Sequence, residues 1–286
     1  MSDSNAGTPP DTARLQQLSL TAWEMETRSA SHVLSPQGRG MVMRSHERLQ
    51  AEIEKSSAVS PEMRSQIRIR ENSDSAVLLI HGSTGSPVDL RELSDVLFER
   101  GHTVHNMLLP GHGEAESELL NVKWKACLNE VAVRFGLLSR VYPDVHVVGF
   151  SFGGALAIHL GQRAKLASLT LLSAALNPRV PFFTRVLINM GLHRLPVVRR
   201  RIGWNLEVFD CMEKAKSQLS KVGAPIYAAH CQDDLKIDPS SLRLIQKKAK
   251  HRASRFRLFK DGGHMILESH GRETLHQEIS DFISRR

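Results

Sequence analysis

The sequence predicts an α/β fold, a mostly parallel sheet with helices on both faces. Three observations carry this. Short apolar runs of strand length recur from about residue 66 to the C-terminus, segments with helical spacing separate them, and glycines or proline punctuate the joins. The chain has 286 residues, 41% of them apolar and 24% charged, which is enough to bury a core of this size.

The elements follow in order. SQIRIRE (65–71) alternates like a half-buried strand, with Ile67 and Ile69 on one face. VLLI (77–80) is continuously apolar, as a strand covered on both faces should be. In SPVDLRELSDVLFERG (86–101), Leu90, Leu93 and Leu97 share a helical face and Gly101 stands where the helix should end. HTVHNMLL (102–109) reads as a strand; Trp124, Leu128, Val131, Phe135 and Leu138 mark a long amphipathic helix. VHVVGF (145–150) is a strand, GGALAIHLG (153–161) an apolar helix and LASLTLLS (166–173) the next strand.

Between about 174 and 222 the rhythm lapses. The stretch is apolar and basic, and too long for a structureless loop, so it reads as an inserted helical cap. Then PIYAAH (225–230) is a strand, and SSLRLIQKKAK (240–250) a helix with Asp238 as its cap and Pro239 as its first residue. FRLF (256–259) is the last strand, and Leu275, Ile279, Phe282 and Ile283 line the closing helix.

Residues 1–60 differ. They are polar, carry Pro9 and Pro10, and show one clear helical segment, SHERLQAEIEK (45–55). They read as an N-terminal extension, partly helical or disordered, ahead of a domain spanning 61–286.

The bulk properties exclude several classes. MSDSNAGTPP lacks the basic start and apolar run of a secretory signal, and no run approaches the roughly 18 apolar residues of a membrane span. Cys127, Cys211 and Cys231 are odd in number and lack metal-ligand spacing, so the expectation is a reduced, cytoplasmic protein without a metal or organic cofactor. The net charge of +8 is spread over the chain without a reading motif, which argues against nucleic acid. The basic run VVRRRIG (197–203) is a solvated face, or a weak contact of the cap with a membrane surface.

The chemistry centres on GFSFGG (149–154). A strand, then Gly-Phe-Ser-Phe-Gly, then a helix is the nucleophile-elbow pattern, a strained turn that lifts the Ser151 hydroxyl above the sheet. Side chains at 149 and 153 would collide with the neighbouring strand and helix. An unperturbed serine is a weak nucleophile and needs a base held by an acid. AAHCQDDLKIDP (228–239) offers Asp233, Asp234 and Asp238 after a strand. Asp238 is better placed as the helix cap, and Asp234 is preferred over Asp233 because Ile237, three residues on, can pack inward while Asp234 turns to the site. FKDGGHMI (259–266) offers His264 after two glycines, whereas His270 and His276 in or near the final helix read as surface residues. HGSTGS (81–86) follows a strand at the same sheet edge, so the backbone N–H groups of Ser83 and Phe152 would form the oxyanion hole. A phosphate-cradling loop is the rival reading, but neither G-x-G-x-x-G nor GK[ST] is present.

HGSTGS, LLPGHGE (108–114), GFSFGG, DDLKI (233–237) and GGH (262–264), in that order, resemble the α/β-hydrolase family and, more narrowly, its carboxylesterase and monoacylglycerol-lipase branch. The resemblance covers roughly residue 66 to the end. It implies an α/β-hydrolase fold with a cap, and Ser151 as nucleophile, Asp234 as acid, His264 as base and Ser83 and Phe152 as oxyanion donors. The expected activity is hydrolysis of a small carboxylic ester with an apolar acyl or alcohol group, suited to Phe150, Phe152, Phe182 and Phe183 unless these are simply core. A thioesterase or an acyltransferase would use the same machinery; a non-catalytic binding protein is the alternative from another class.

Overall fold

The computed structural model describes residues 34–55, 57–113, 122–180, 190 and 206–285. Seven strands form one sheet: β1 (Gln66–Arg68), β2 (Ser75–Ile80), β3 (Thr103–Met107), β4 (Asp144–Phe150), β5 (Ser168–Leu172), β6 (Ile226–Cys231) and β7 (Arg255–Phe259), in the order β1-β3-β2-β4-β5-β6-β7. β1 runs antiparallel to β3, and every other neighbouring pair is parallel.

The period of two along each strand divides the core. Ala76, Leu78, Ile80, Val145, Val147, Leu169, Leu171, Ile226 and Ala228 face one side; Val77, Leu79, Val148, Phe150, Leu172, Tyr227 and Ala229 face the other. The first side is covered by α1 (Pro36–Lys55), α3 (Trp124–Val141), α4 (Phe152–Gly161), α5 (Leu206–Gln218) and α6 (Ser240–Lys248). The second is covered by α2 (Arg91–Glu99) and α7 (Arg272–Ser284), through Leu93, Leu97, Leu275, Ile279, Phe282 and Ile283. Both faces are therefore dry, which is why the central strands read as continuous apolar runs. Gly101 ends α2 with φ 97°, a conformation that a Cβ disfavours.

Two features differ from the sequence-based expectation. The N-terminal helix begins at Pro36, nine residues before the segment that its pattern marks. Gly38 and Gly40 weaken the local helical signal, and tertiary contacts supply the rest. Met43 is wholly buried, His46 meets Arg134 of α3 (Nε2 to Nη1, 3.3 Å), and Glu54 accepts from the Ser65 N–H (2.8 Å) and hydroxyl (2.6 Å). The second difference is His276, read as a surface residue but only 6% exposed. It borders the Leu275–Ile279–Ile283 stripe of α7 on the side facing α2, so the buried face is wider than its apolar stripe. Burial lowers its pKa. His270 is exposed.

Of the segment expected to form a cap, 181–189 and 191–205 lie outside the described residues, and with them Phe182, Phe183 and the VVRRRIG run; so do 1–33 and Glu114. The described remainder is not peripheral. α5 buries Cys211 and Ala215 in the main core, and Asn177–Val180 runs beside Lys236–Asp238, with the Arg179 N–H donating to the Lys236 carbonyl (2.8 Å) and the Asp238 N–H to that of Asn177 (2.7 Å). No described helix is long and apolar enough to cross a membrane.

Candidate active site

Ser151 is the single residue between β4 and α4, with φ 52° and ψ −114°. A non-glycine residue there carries roughly 1–3 kcal/mol of strain and persists only where its surroundings over-determine it. Here they do. The Ser151 N–H donates to the Leu172 carbonyl (2.9 Å), and its own carbonyl accepts from Gly154 (3.0 Å) and Ala175 (2.9 Å). The two flanking glycines permit the turn. A Cβ on Gly149 would lie 2.4 Å from the Gly153 oxygen, and one on Gly153 would lie 2.2 Å from the Ile80 oxygen. Phe150 and Phe152 pack into the cores on opposite faces of the sheet. They fasten both ends of the turn, and Phe150 also lies against the His264 ring, 5.3 Å between centroids.

The loops after β6 and β7 meet this turn. His264 Nε2 is 2.9 Å from Ser151 Oγ, and His264 Nδ1 is 2.9 Å from Asp234 Oδ2. A carboxylate oxygen can only accept, so Nδ1 carries the hydrogen and Nε2 is left with a lone pair toward the hydroxyl. Asp234 is fully buried. Its Oδ1 accepts from the N–H groups of Lys236 (2.8 Å) and Ile237 (2.9 Å), and its Oδ2 also lies 3.1 Å from His230 Nε2. Burial by itself would raise this carboxyl's pKa. The N–H groups of His230, His264 and Ile237, with the attraction of the His264 ring, outweigh it and hold the group well below the usual carboxylate range.

The three candidate aspartates thus separate. Asp234 faces the histidine. Asp233 accepts from the N–H groups of Gly262 (3.3 Å) and Gly263 (2.8 Å), the left-handed pair (φ 130° and 62°) that turns the chain into His264. Asp238 accepts from the Ser240 N–H (2.9 Å) at the start of α6, whose N-cap is Pro239 where the sequence placed Asp238, and pairs with Arg179 (3.1 Å).

The HGSTGS loop lies beside the serine: a Cβ on Gly82 would touch Ser151 Cβ at 3.4 Å. Among the described residues, nothing accepts from the N–H of Ser83 or of Phe152. Two histidines that the sequence reading left without a role pin this loop. His81 takes the Leu109 N–H on Nε2 (3.0 Å), so its Nδ1 donates to the Gly82 carbonyl (2.8 Å). Complete burial, aided by neighbouring His112, pushes its pKa down to about 3, which keeps the ring neutral. His112 Nε2 meets the Ser83 carbonyl at 2.9 Å. His81, His112 and His230 were hidden among 14 histidines, and their partners are backbone carbonyls or side chains that no motif announces. Among the described residues, no group of three or more His, Cys, Asp or Glu is arranged to hold a metal ion.

Comparison with known proteins agrees with this architecture. The model of the alpha/beta hydrolase family matches residues 77–277. The carboxylesterase of Bacillus subtilis (strain 168) is 22% identical over 241 residues, covering 75% of this chain and 94% of its own. A thermostable monoacylglycerol lipase of Bacillus sp. (strain H-257) is 32% identical over 92 residues, 32% of this chain and 37% of the lipase. Among solved structures, a metagenome-derived lipolytic enzyme superposes with a TM-score of 0.70 at 19% identity, over 80% of this chain and all of that one. The monoacylglycerol lipase of Paleococcus ferrophilus gives 0.57 at 21% identity, over 74% and 95%. With strands, turn and family model in agreement over most of its length, the chain belongs to the alpha/beta hydrolase family.

Proposed function

We propose that the protein hydrolyses small carboxylic esters through an acyl-enzyme on Ser151. The observation that carries this reading is the hydrogen-bonded row Ser151 Oγ–His264 Nε2 and His264 Nδ1–Asp234 Oδ2, both 2.9 Å, at a strained turn beside two N–H groups that meet no acceptor among the described residues. Ser151 Oγ attacks the ester carbonyl carbon while His264 Nε2 takes its proton. Ionised Asp234 holds the ring in that tautomer and stabilises the imidazolium. The carbonyl oxygen becomes an oxyanion, which accepts from the Ser83 and Phe152 N–H groups at the positive end of α4. Collapse of the tetrahedral intermediate breaks the bond to the alcohol oxygen, which leaves with the proton from His264. Water then attacks the acyl group, returns a proton through His264 and releases the acid.

The choice of esters rests on the carboxylesterase and lipase relatives. An apolar acyl or alcohol group is proposed on the same ground. A thioester, or an alcohol in place of water, would fit the same atoms. The test is turnover of p-nitrophenyl esters of increasing acyl length, beside acyl thioesters and added alcohols, by the protein and by Ser151→Ala. Ester turnover that falls on the order of 10⁶-fold in the variant supports the reading. Preference for thioesters, or for an alcohol acceptor, replaces the substrate class. No turnover of any acyl substrate leaves a binding role.

A further inference from the structure

We propose that His230 is a positioning residue for this site, the second imidazole that fixes the Asp234 carboxylate in the plane His264 requires. This rests on the reading of Ser151, His264 and Asp234 given above.

His230 projects from β6, four residues before Asp234, and both side chains are closed to solvent, 1% and 0% exposed. His230 Nε2 is 3.1 Å from Asp234 Oδ2 and 3.1 Å from the Ile237 carbonyl oxygen. Both are acceptors, so Nε2 carries a hydrogen; its hydrogen bond goes to the Ile237 carbonyl, and Asp234 Oδ2 lies beside the same N–H at an equal distance. Asp234 therefore accepts three hydrogen bonds, two backbone N–H groups on Oδ1 and the His264 N–H on Oδ2, and the His230 N–H lies against Oδ2 as a fourth polar neighbour. A carboxylate has about four acceptor positions, and a buried one must fill them to stay ionised. The backbone pair pins Oδ1 but leaves the carboxylate free to pivot about it. His230 meets Oδ2 from the strand side and His264 meets it from the loop side. With His230 in place, Oδ2 stays where the His264 Nδ1–H can reach it. The same nitrogen also ties Ile237, and so the Asp234–Ile237 loop, back to β6. His230 touches neither Ser151 nor, in the proposed reaction, the substrate; it acts through Asp234.

A merely structural histidine would satisfy the Ile237 carbonyl and fill space, so the test must separate the donor from the volume. His230→Phe keeps the bulk and removes the donor; H230Q retains an N–H at a similar reach. The loss of an N–H beside a buried charge predicts that His230→Phe lowers kcat and the rate of fluorophosphonate labelling about ten- to hundredfold, with KM unchanged, while H230Q stays within about threefold of wild type. In an Asp234→Asn background, His230→Phe should have no further effect on kcat, because residues acting as one unit are non-additive. Wild-type rates in His230→Phe, equal losses in both variants, or full additivity with Asp234→Asn would overturn the proposal. If His230→Phe loses the native fold, the wild-type protein labelled with ¹⁵N-histidine serves instead. The His230 Nε2–H resonance should move on Asp234→Asn, and an unmoved resonance overturns the inference. A wild-type protein that neither labels nor turns over an acyl substrate sinks the serine reading itself, a result distinct from any of these.

Discussion

Lowering the pH from 7.5 to 5.5 should destabilise the protein well before its carboxylates titrate. Burial, with Arg134 adding to it, pushes His46 from 6.5 down to about 3, and burial with neighbouring His112 does the same to His81. His105 is also held well below its ordinary value, by burial first and then by His46 and Arg134; it is wholly closed to solvent. All three bind protons less readily in the native state than in the unfolded one. Stability is therefore full above about pH 6.5 and is lost as the pH falls toward the native-state values. At pH 5.5 an unfolded histidine is about nine-tenths protonated while His46 and His81 stay neutral, so each of these two costs about 1.4 kcal/mol relative to its contribution at high pH. At pH 7.5 the same term is under about 0.1 kcal/mol. His46 and His81 together predict a loss on the order of 3 kcal/mol, a large share of the 5–15 kcal/mol typical of a folded domain, and His105, His102, His112, His159 and His276, which burial also lowers, add in the same direction. Glu47 and Asp89, whose pKa values burial raises, oppose this slightly. Urea unfolding followed by tryptophan fluorescence at pH 7.5, 6.5 and 5.5 measures it. An unfolding free energy at pH 5.5 within about 1 kcal/mol of that at pH 7.5 would refute the assignment of neutral buried imidazoles.

Further outcomes follow from the same geometry. Gly153→Ala places a Cβ 2.2 Å from the Ile80 oxygen, a backbone atom that cannot step aside, so the variant should lose on the order of 4 kcal/mol or fail to fold, as read by the same unfolding assay. Asp234→Asn, which removes the charge facing His264, should lower kcat on the order of 10⁴-fold, whereas Asp233→Asn, which only loosens the Gly262–Gly263 turn, should cost about tenfold. Equal losses in ester turnover would reverse that assignment. Glu54→Ala removes two hydrogen bonds to Ser65 from a buried carboxylate and should cost about 2–4 kcal/mol in urea unfolding. No loss would mean that α1 is not part of the folded unit.

Much of this architecture was legible because its signals are local. VLLI and VHVVGF are uninterrupted apolar runs since both sheet faces are covered, and the helices between them keep an apolar stripe. GFSFGG was legible because its glycines answer to contacts made within the same turn and with the adjacent strand. What stayed hidden depends on partners distant in sequence. The first nine residues of α1 carry two glycines and bury the side chain of Arg39, so neither propensity nor periodicity marks them. The packing of Ile237 is the only sequence signal that separates Asp234 from Asp233. The contacts that part them in the structure come from elsewhere: the N–H groups of residues 236 and 237 converge on Asp234, and those of 262 and 263 on Asp233. His81 and His230 carry no pattern at all, because each is defined by which buried acceptor it meets.

Ser151 as an activated nucleophile is the centre of the proposed chemistry. The direct measurement is reaction of the purified protein with a fluorophosphonate, followed by peptide mass mapping, alongside Ser151→Ala. One adduct is expected, on Ser151, absent from the variant and slowed in Asp234→Asn. No adduct, or labelling that persists in Ser151→Ala, would contradict it.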